Sequence, residues 1–260
     1  MPSNGRRKSY SRRRRGTANR YAKKKRNYKR KFMARRKTAV NSYGAPFPQE
    51  LFKVLKYSSP RQYTQQATVD VPSSAIQIRG NSLYDPDPAI GGTQPRYFDT
   101  LCGDISTSAP YYRYTVYAAK CTLHIWQDPS LGTNTGSVAG KVALYPFNGI
   151  PGTSSQLGSL KEFAERENCR VADVGNANSS RPLKLSYFCK TSTIWRGSKP
   201  GYDSDFTAVY NANPTNQWSF NVQCCNVIPA GVNNGLFSFY WTYTMKYYVK
   251  FSTLNDVTDS

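Results

Sequence analysis

Apolar and polar side chains alternate with a period of two toward the C-terminus. Phe237, Phe239, Trp241, Tyr243, Met245, Tyr247, Val249 and Phe251 fall on one phase; Ser238, Thr242, Thr244, Lys246, Lys250 and Ser252 fall on the other. Successive side chains of a strand point to opposite faces, so the pattern predicts a strand over 236–252 with one face in a core. At about 3.3 Å per residue such a strand would reach roughly 50 Å, which predicts a bulge or bend near 242–244. Trp218, Phe220, Val222 and Cys224 alternate with Gln217, Ser219, Asn221 and Gln223 in the same way and predict a second half-buried strand. Weaker strand signals cover Glu50–Ser58, 75–83, Tyr111–Gln127, 137–146 and Leu183–Lys190, each bounded by Pro, Gly, Asn or Asp. One helix is predicted: Ser159 stands three residues before Glu162, a capping-box spacing, with Leu160, Phe163 and Ala164 following on one face.

Seven or eight strands joined by long loops describe an all-β domain of two packed antiparallel sheets. Composition agrees, since 20 Tyr, 12 Phe and 4 Trp among many Val, Thr, Gly and Pro favour pleated strands and exclude an all-α fold. No stretch approaches the roughly 20 consecutive apolar residues of a membrane helix, and no apolar segment of a secretory signal follows the basic N-terminus. A soluble chain without membrane insertion, not secreted by the standard route, is expected.

Catalytic and metal-binding constellations find little support. The single histidine, His124, shares its predicted strand face with Lys120 and Thr122, and the chain has no GxSxG elbow to supply a nucleophile. Cys121 lies on the opposite face from His124, which argues against a thiolate pair. Glu162, Glu165 and Glu167 look like a solvated helix face. Six cysteines (Cys102, Cys121, Cys169, Cys189, Cys224, Cys225) contain no CxxC, and Cys224 and Cys225 must point to opposite faces of a strand. Reduced, mostly buried thiols, no metal, no cofactor and no enzymatic activity are expected.

Charge divides the chain in two. The formal net charge is +21, yet 18 of the 36 Lys and Arg lie in residues 1–37, where there is no acid, leaving +3 for the remainder. The cations come in clusters: Arg6, Arg7 and Lys8; Arg12, Arg13, Arg14 and Arg15; Arg20; Lys23, Lys24, Lys25 and Arg26; Lys29, Arg30 and Lys31; Arg35, Arg36 and Lys37. Such a segment has too little apolar surface to offset chain entropy, so residues 1–45 are expected to form a disordered arm and 46–260 the folded domain. A polyanion is its natural partner, because each phosphate it neutralises releases condensed counterions. Tyr10, Tyr21, Tyr28 and Phe32 interleave the cations and can stack on unpaired bases, which favours single strands. Arg12 to Arg15 and Lys23 to Arg26 would also serve as a nuclear localisation signal read by host import receptors. The spacing of Tyr21, Tyr28 and Phe32 fits one helical face, so 20–37 is expected to become helical when bound.

The most distinctive loop reads NSLYDPDPAIGGTQPRYFD, from Asn81 to Asp99. Its prolines and glycines specify a backbone path, and Asp85 and Asp87 between prolines are expected to make Asx turns rather than bind calcium, since no acidic ligand returns at EF-hand spacing. Gly91-Gly92 lacks the GxxxxGK[ST] frame of a phosphate loop. The loop resembles a motif of capsid proteins from circular, Rep-encoding single-stranded DNA viruses, the circovirus-like group, although Thr93 stands where many of them have His. Element order is similar too: arm, YDPD and GG-QP loop, aromatic strand, final Tyr-rich strand. The resemblance implies a single eight-stranded antiparallel jelly roll with one short helix in a loop. It also implies about sixty copies in a T=1 shell, single-stranded DNA packaged by the arm, and location in the virion and the host nucleus. A host-cell surface receptor would be a further partner. Tyr84, Asp85, Pro86, Asp87, Gly91, Gly92, Gln94, Pro95, Tyr97 and Phe98 would then form a subunit-contact loop. The arm itself does not distinguish DNA from RNA, so a coat protein of a small RNA virus stays open, as does a nuclear shuttle protein that does not assemble.

Overall fold

The computed structural model describes residues 47–68, 71–127, 140–149, 152, 156–174, 182–227 and 237–254. Ten strands follow one another: β1 (Glu50–Ser58), β2 (Tyr63–Ala67), β3 (Ile76–Arg79), β4 (Tyr111–Gln127), β5 (Gly140–Asn148), β6 (Arg170–Val174), β7 (Leu183–Lys190), β8 (Thr207–Val209), β9 (Trp218–Asn226) and β10 (Phe237–Leu254). One sheet runs β1-β10-β4-β7, with β2 continuing β1 along β10 and β8 continuing along β4; the other runs β3-β9-β5-β6. Every ladder between these strands is antiparallel. With β1/β2 and β7/β8 each counted as one interrupted strand, eight strands pair in the order 1-8-3-6 over 2-7-4-5. That is the jelly roll, two four-stranded layers between which the chain repeatedly crosses.

The first interruption has a local cause. Pro60 has no N–H to donate to the ladder, and the Ser59 hydroxyl accepts from Arg61 N at 3.2 Å, turning the chain out of β1 and back into β2.

Period-two alternation places β10 as expected, with Phe237, Phe239, Trp241, Tyr243, Met245, Tyr247, Val249 and Phe251 all buried. The bulge is elsewhere than 242–244. Tyr248 pairs with Ala118 and Val249 with Val116, so Tyr117 of β4 is the extra residue. It sits between the β7 pairing, which ends at Ala118, and the β8 pairing, which begins at Thr115. The twist is therefore taken up where the flanking strand changes and not in the middle of the packed core.

A second expectation fails at β9, which is buried on both faces. Ser219, Asn221 and Gln223 do not meet solvent, because Tyr145, Leu157, Phe163, Ala143 and Cys225 form a small apolar cluster over that side of the sheet. The helix Leu160–Glu165 supplies part of this cover. Ser159 caps it by accepting from Glu162 N at 3.4 Å, and the Glu162 carboxylate accepts from Gly158 N at 2.8 Å. Phe163 and Leu160 face the cluster, whereas Ala164 turns out to be exposed. Four short helical turns not anticipated, Phe98–Leu101, Ile105–Thr107, Thr191–Ile194 and Ser204–Phe206, complete the described residues; Thr191 is held by its hydroxyl, which donates to Val116 O at 2.7 Å.

The main core lies between the layers and is heavily aromatic. Tyr63 stacks on Trp241 at 4.6 Å between ring centres, and both buried indoles in the core find acceptors, Trp241 Nε1 in Gln65 Oε1 and Trp218 Nε1 in Thr191 Oγ1, each at 3.1 Å. Cys224 belongs to this core and Cys225 to the small cluster, on opposite faces of β9 as the strand geometry requires. All six cysteines are free thiols, Cys169 half-buried and the rest buried. His124 is half-buried between Thr242 and Lys184 on the outer face of its sheet.

Candidate functional site

The 81–99 loop leaves β3 through Gly80, where a side chain has no room: a Cβ there would fall 2.2 Å from the Trp218 ring. Gly80 N donates to Trp218 O at 2.8 Å and Trp218 N donates to Asn81 Oδ1 at 3.0 Å, so the loop starts as an extension of the β3–β9 ladder. The Asn81 amide also reaches Asn216 O at 2.7 Å, and the Ser82 hydroxyl bonds to Asn213 Oδ1. Tyr114 of β4 stands beneath, accepting from Leu83 N at 3.4 Å and donating to Ala212 O at 2.8 Å.

Both aspartates have protein partners. Arg79 forms an ion pair with the Asp85 carboxylate and donates from Nη1 to Asp85 O at 2.9 Å, while Arg79 N donates to Pro86 O at 3.0 Å. Asp87 is fully buried. Its Oδ1 accepts from Ala89 N at 3.1 Å, the expected Asx turn; its Oδ2 accepts from Tyr243 at 2.8 Å, from Ser59 at 3.3 Å and from the Tyr63 hydroxyl. Burial, reinforced by the nearby Asp87 charge, pushes the Tyr63 and Tyr243 phenols well above their usual range, so both remain protonated donors. A buried carboxylate supplied by three hydroxyls and a backbone amide is a fastening, with its acceptor capacity committed to the fold.

Beyond Asp87 the chain reverses, with Ile90 N and Gly91 N both donating to Asp87 O at 3.1 Å. Gly91 and Gly92 adopt φ of +64° and +69°, a region that favours glycine, with open space around each. Thr93 bonds to the Tyr57 hydroxyl at 2.8 Å. The path closes at Phe98, buried and edge-on to Tyr114 at 5.3 Å.

These anchors sort the ten loop residues by exposure. Pro86, Asp87, Pro95 and Phe98 are buried within the same chain and Tyr84, Asp85 and Gln94 are half-buried, which leaves Gly91, Gly92 and Tyr97 exposed. Tyr97 is 59% exposed at φ +69°, and the Arg96 guanidinium lies 4.9 Å from its ring centre. The surface the loop offers is therefore the glycine tip and the Arg96-Tyr97 pair, flanked by Ala89 and Asp99, and the buried four give that surface its shape. Tyr202, another loop aromatic, is 92% exposed. The partners Tyr63, Ser59 and Tyr243 carry no local signal, because Asp87 and Tyr243 are separated by 156 positions. Arg79 could have been found, six residues from an acid of opposite sign. The arm's 18 cations, Tyr10, Tyr21, Tyr28 and Phe32 lie outside the described residues.

No family model and no curated protein matches the chain. Among solved structures it is similar to a decameric BFDV capsid protein, at 11% identity and a TM-score of 0.39 over 78% of this chain and 99% of that one. A 60-mer of the BFDV capsid protein matches at 12% identity and a TM-score of 0.38, covering 82% of this chain and 100% of that one. Turnip yellow mosaic virus matches at 10% identity and 0.34, covering 86% and 90%.

Proposed function

We propose that this chain is a viral capsid protein that assembles with copies of itself into a small icosahedral shell, of sixty subunits in the T=1 arrangement, and packages single-stranded DNA. The observation that carries the reading is the joining of two unlike parts. An arm with 18 cations and no acid is covalently continuous with a jelly roll whose own net charge is only +3. A body as charged as the arm would repel its neighbours at subunit distances, whereas +3 is compatible with close packing of copies. Sixty arms would bring roughly a thousand positive charges, on the scale of a very small genome at one phosphate per nucleotide.

Residues 1–45 hold the nucleic acid in this reading, with Arg12 to Arg15 and Lys23 to Arg26 also directing nuclear import. The exposed tip of the 81–99 loop, Gly91, Gly92, Arg96 and Tyr97, makes contacts between subunits. DNA rather than RNA is favoured by the NSLYDPDPAIGGTQPRYFD resemblance. The role is structural and not enzymatic. Expression with and without residues 1–37, followed by electron microscopy and the 260/280 nm absorbance ratio, tests it. Filled particles from the full chain and empty particles or free oligomers from the truncation support the reading; a strictly monomeric body at high concentration overturns it.

A further inference from the structure

The +3 of the folded body is not evenly spread. The six strands of the β1-β10-β4-β7 sheet, with β2 and β8, hold Lys53, Lys56, Arg113, Lys120, Lys184, Lys190, Lys246 and Lys250 against one acid, Glu50. This sheet carries net +7, leaving net −4 for the rest of the body. Seven of those eight cations lie on the sheet's outer face, away from the core, by their register with neighbours on that face.

Across the middle of that face three lysines stand side by side. Lys56 pairs with Lys246 and Lys246 with Lys120, so three ammonium groups occupy adjacent positions on three hydrogen-bonded strands about 5 Å apart. Like charges directly opposite each other destabilise a sheet. Among the described residues none of the three is ion-paired, and the one carboxylate on the face, Glu50, is taken by Lys250 at 2.8 Å. Lys190 lies one row to one side of this ladder, and His124 and Lys184 lie two rows to the other.

Exposed aromatic rings surround the ladder. Phe188 continues the lysine row on β7, with Tyr248 edge-on to it at 5.6 Å; Trp126 stands further along β4, and Phe52, 60% exposed, packs on Tyr117 at 6.0 Å. A row of cations and flat apolar rings beside it are the two components of a surface that holds unpaired nucleic acid: charge for the backbone and π-faces for the bases.

We infer that the outer face of this sheet, centred on Lys56, Lys120 and Lys246, is a second binding surface for single-stranded nucleic acid, separate from the arm. The inference rests on the proposed packaging function and adds where the cargo lies: this sheet lines the cavity of the shell, and the sheet bearing β3, β9, β5 and β6 faces away from it. Nucleic acid supplies the counter-charge that the ladder lacks, so filling the particle relieves the repulsion.

The test uses the full chain. Wild-type protein is irradiated with an oligothymidylate carrying 4-thiothymidine, and the crosslinked peptides are mapped. Adducts on β4, β7 or β10 peptides bearing Tyr248, Phe188 or Trp126, besides those on the arm, are expected. In parallel, K56Q/K120Q/K246Q is compared with wild type for oligothymidylate binding over a range of salt. Losing three phosphate contacts should lower the slope of log K against log salt by about 2, with the arm's contribution intact. Free of nucleic acid, the same variant should unfold at a higher temperature than wild type, as removal of like-charge repulsion requires. Filled shells with adducts confined to the arm and an unchanged slope would overturn this inference alone. Failure of the wild-type chain to bind the oligonucleotide would overturn it together with the packaging function.

Discussion

Tyr243, near the middle of the last strand, donates its hydroxyl to the buried carboxylate of Asp87 at 2.8 Å, fastening the 81–99 loop to the centre of the sheet. Tyr63 and Ser59 converge on the same oxygen, so one carboxylate gathers β10, β2 and the turn between β1 and β2. D87N places an amide where these hydroxyls donate and is expected to lower stability by about 3 kcal/mol. Y243F removes one donor, leaves the others, and should cost about 2 kcal/mol. Denaturant unfolding of both variants checks the order; equal stability of D87N and wild type would mean the loop is held elsewhere.

Glycines at the two ends of the loop predict opposite behaviour. G80A drives a methyl group into Trp218 and is expected to cost about 3 kcal/mol, since the indole is itself fixed by its bond to Thr191. G91A meets no neighbour and is penalised only by its φ of +64°, about 1 kcal/mol. Thermal melts of the two single variants distinguish steric from conformational cost.

Alkaline conditions should weaken the body. Burial pushes the Cys102 and Cys224 thiols up to about 12 from an ordinary 9.0, and the Tyr114 phenol up to about 12 from 10.0. Between those limits the unfolded chain releases protons that the native chain keeps, so stability is fully present below pH 9 and falls as pH rises toward 12. Each group steepens the decline by about 1.4 kcal/mol per pH unit. Urea titrations at stepped pH read this directly, and a flat profile through that window would show these groups reached by solvent. Iodoacetamide at pH 8 should modify Cys169 first, as the half-buried thiol among five buried ones.

Gln223 offers a sharper contrast. Its Oε1 accepts from Tyr145 at 2.8 Å and Leu157 N at 3.0 Å, and its Nε2 donates to Ser73 O at 2.8 Å and Leu157 O at 3.1 Å. Q223A removes four buried hydrogen bonds and should cost about 3 kcal/mol, whereas Q66A on the exposed side of β2 should stay within about 0.5 kcal/mol. Comparable losses in the two would contradict the buried network.

The same glutamine explains what was hidden in the chain. Alternation revealed β10 because its apolar phase meets one core and the middle of its polar phase, Tyr240 to Tyr248, is half-buried or exposed. In β9 the polar phase is equally regular but lies under Tyr145 and Leu157, and hydrogen bonds satisfy there what solvent satisfies elsewhere. No period distinguishes these two fates. β2 escaped notice because Gln65, one of its inward residues, is polar, its amide matched to Trp241 and to Val222 O. β6 has few buried positions, and β8 is three residues long. In the 81–99 loop the turn residues announced a specified path, and the Asx turn at Asp87 was legible from Pro-Asp-Pro spacing. Its fastening was not, since hydroxyls from distant strands leave no mark on local sequence.

Among the described residues β10 comes after every other strand in the chain, yet it lies between β1 and β4 in its sheet. A chain ending before residue 237 lacks the strand that joins β1 and β2 to β4 in the larger layer. Tyr243 for the loop and Lys246 for the ladder arrive together with it. Removing this one strand therefore costs more than an edge: the 81–99 loop is left unfastened and the sheet is left open at its centre.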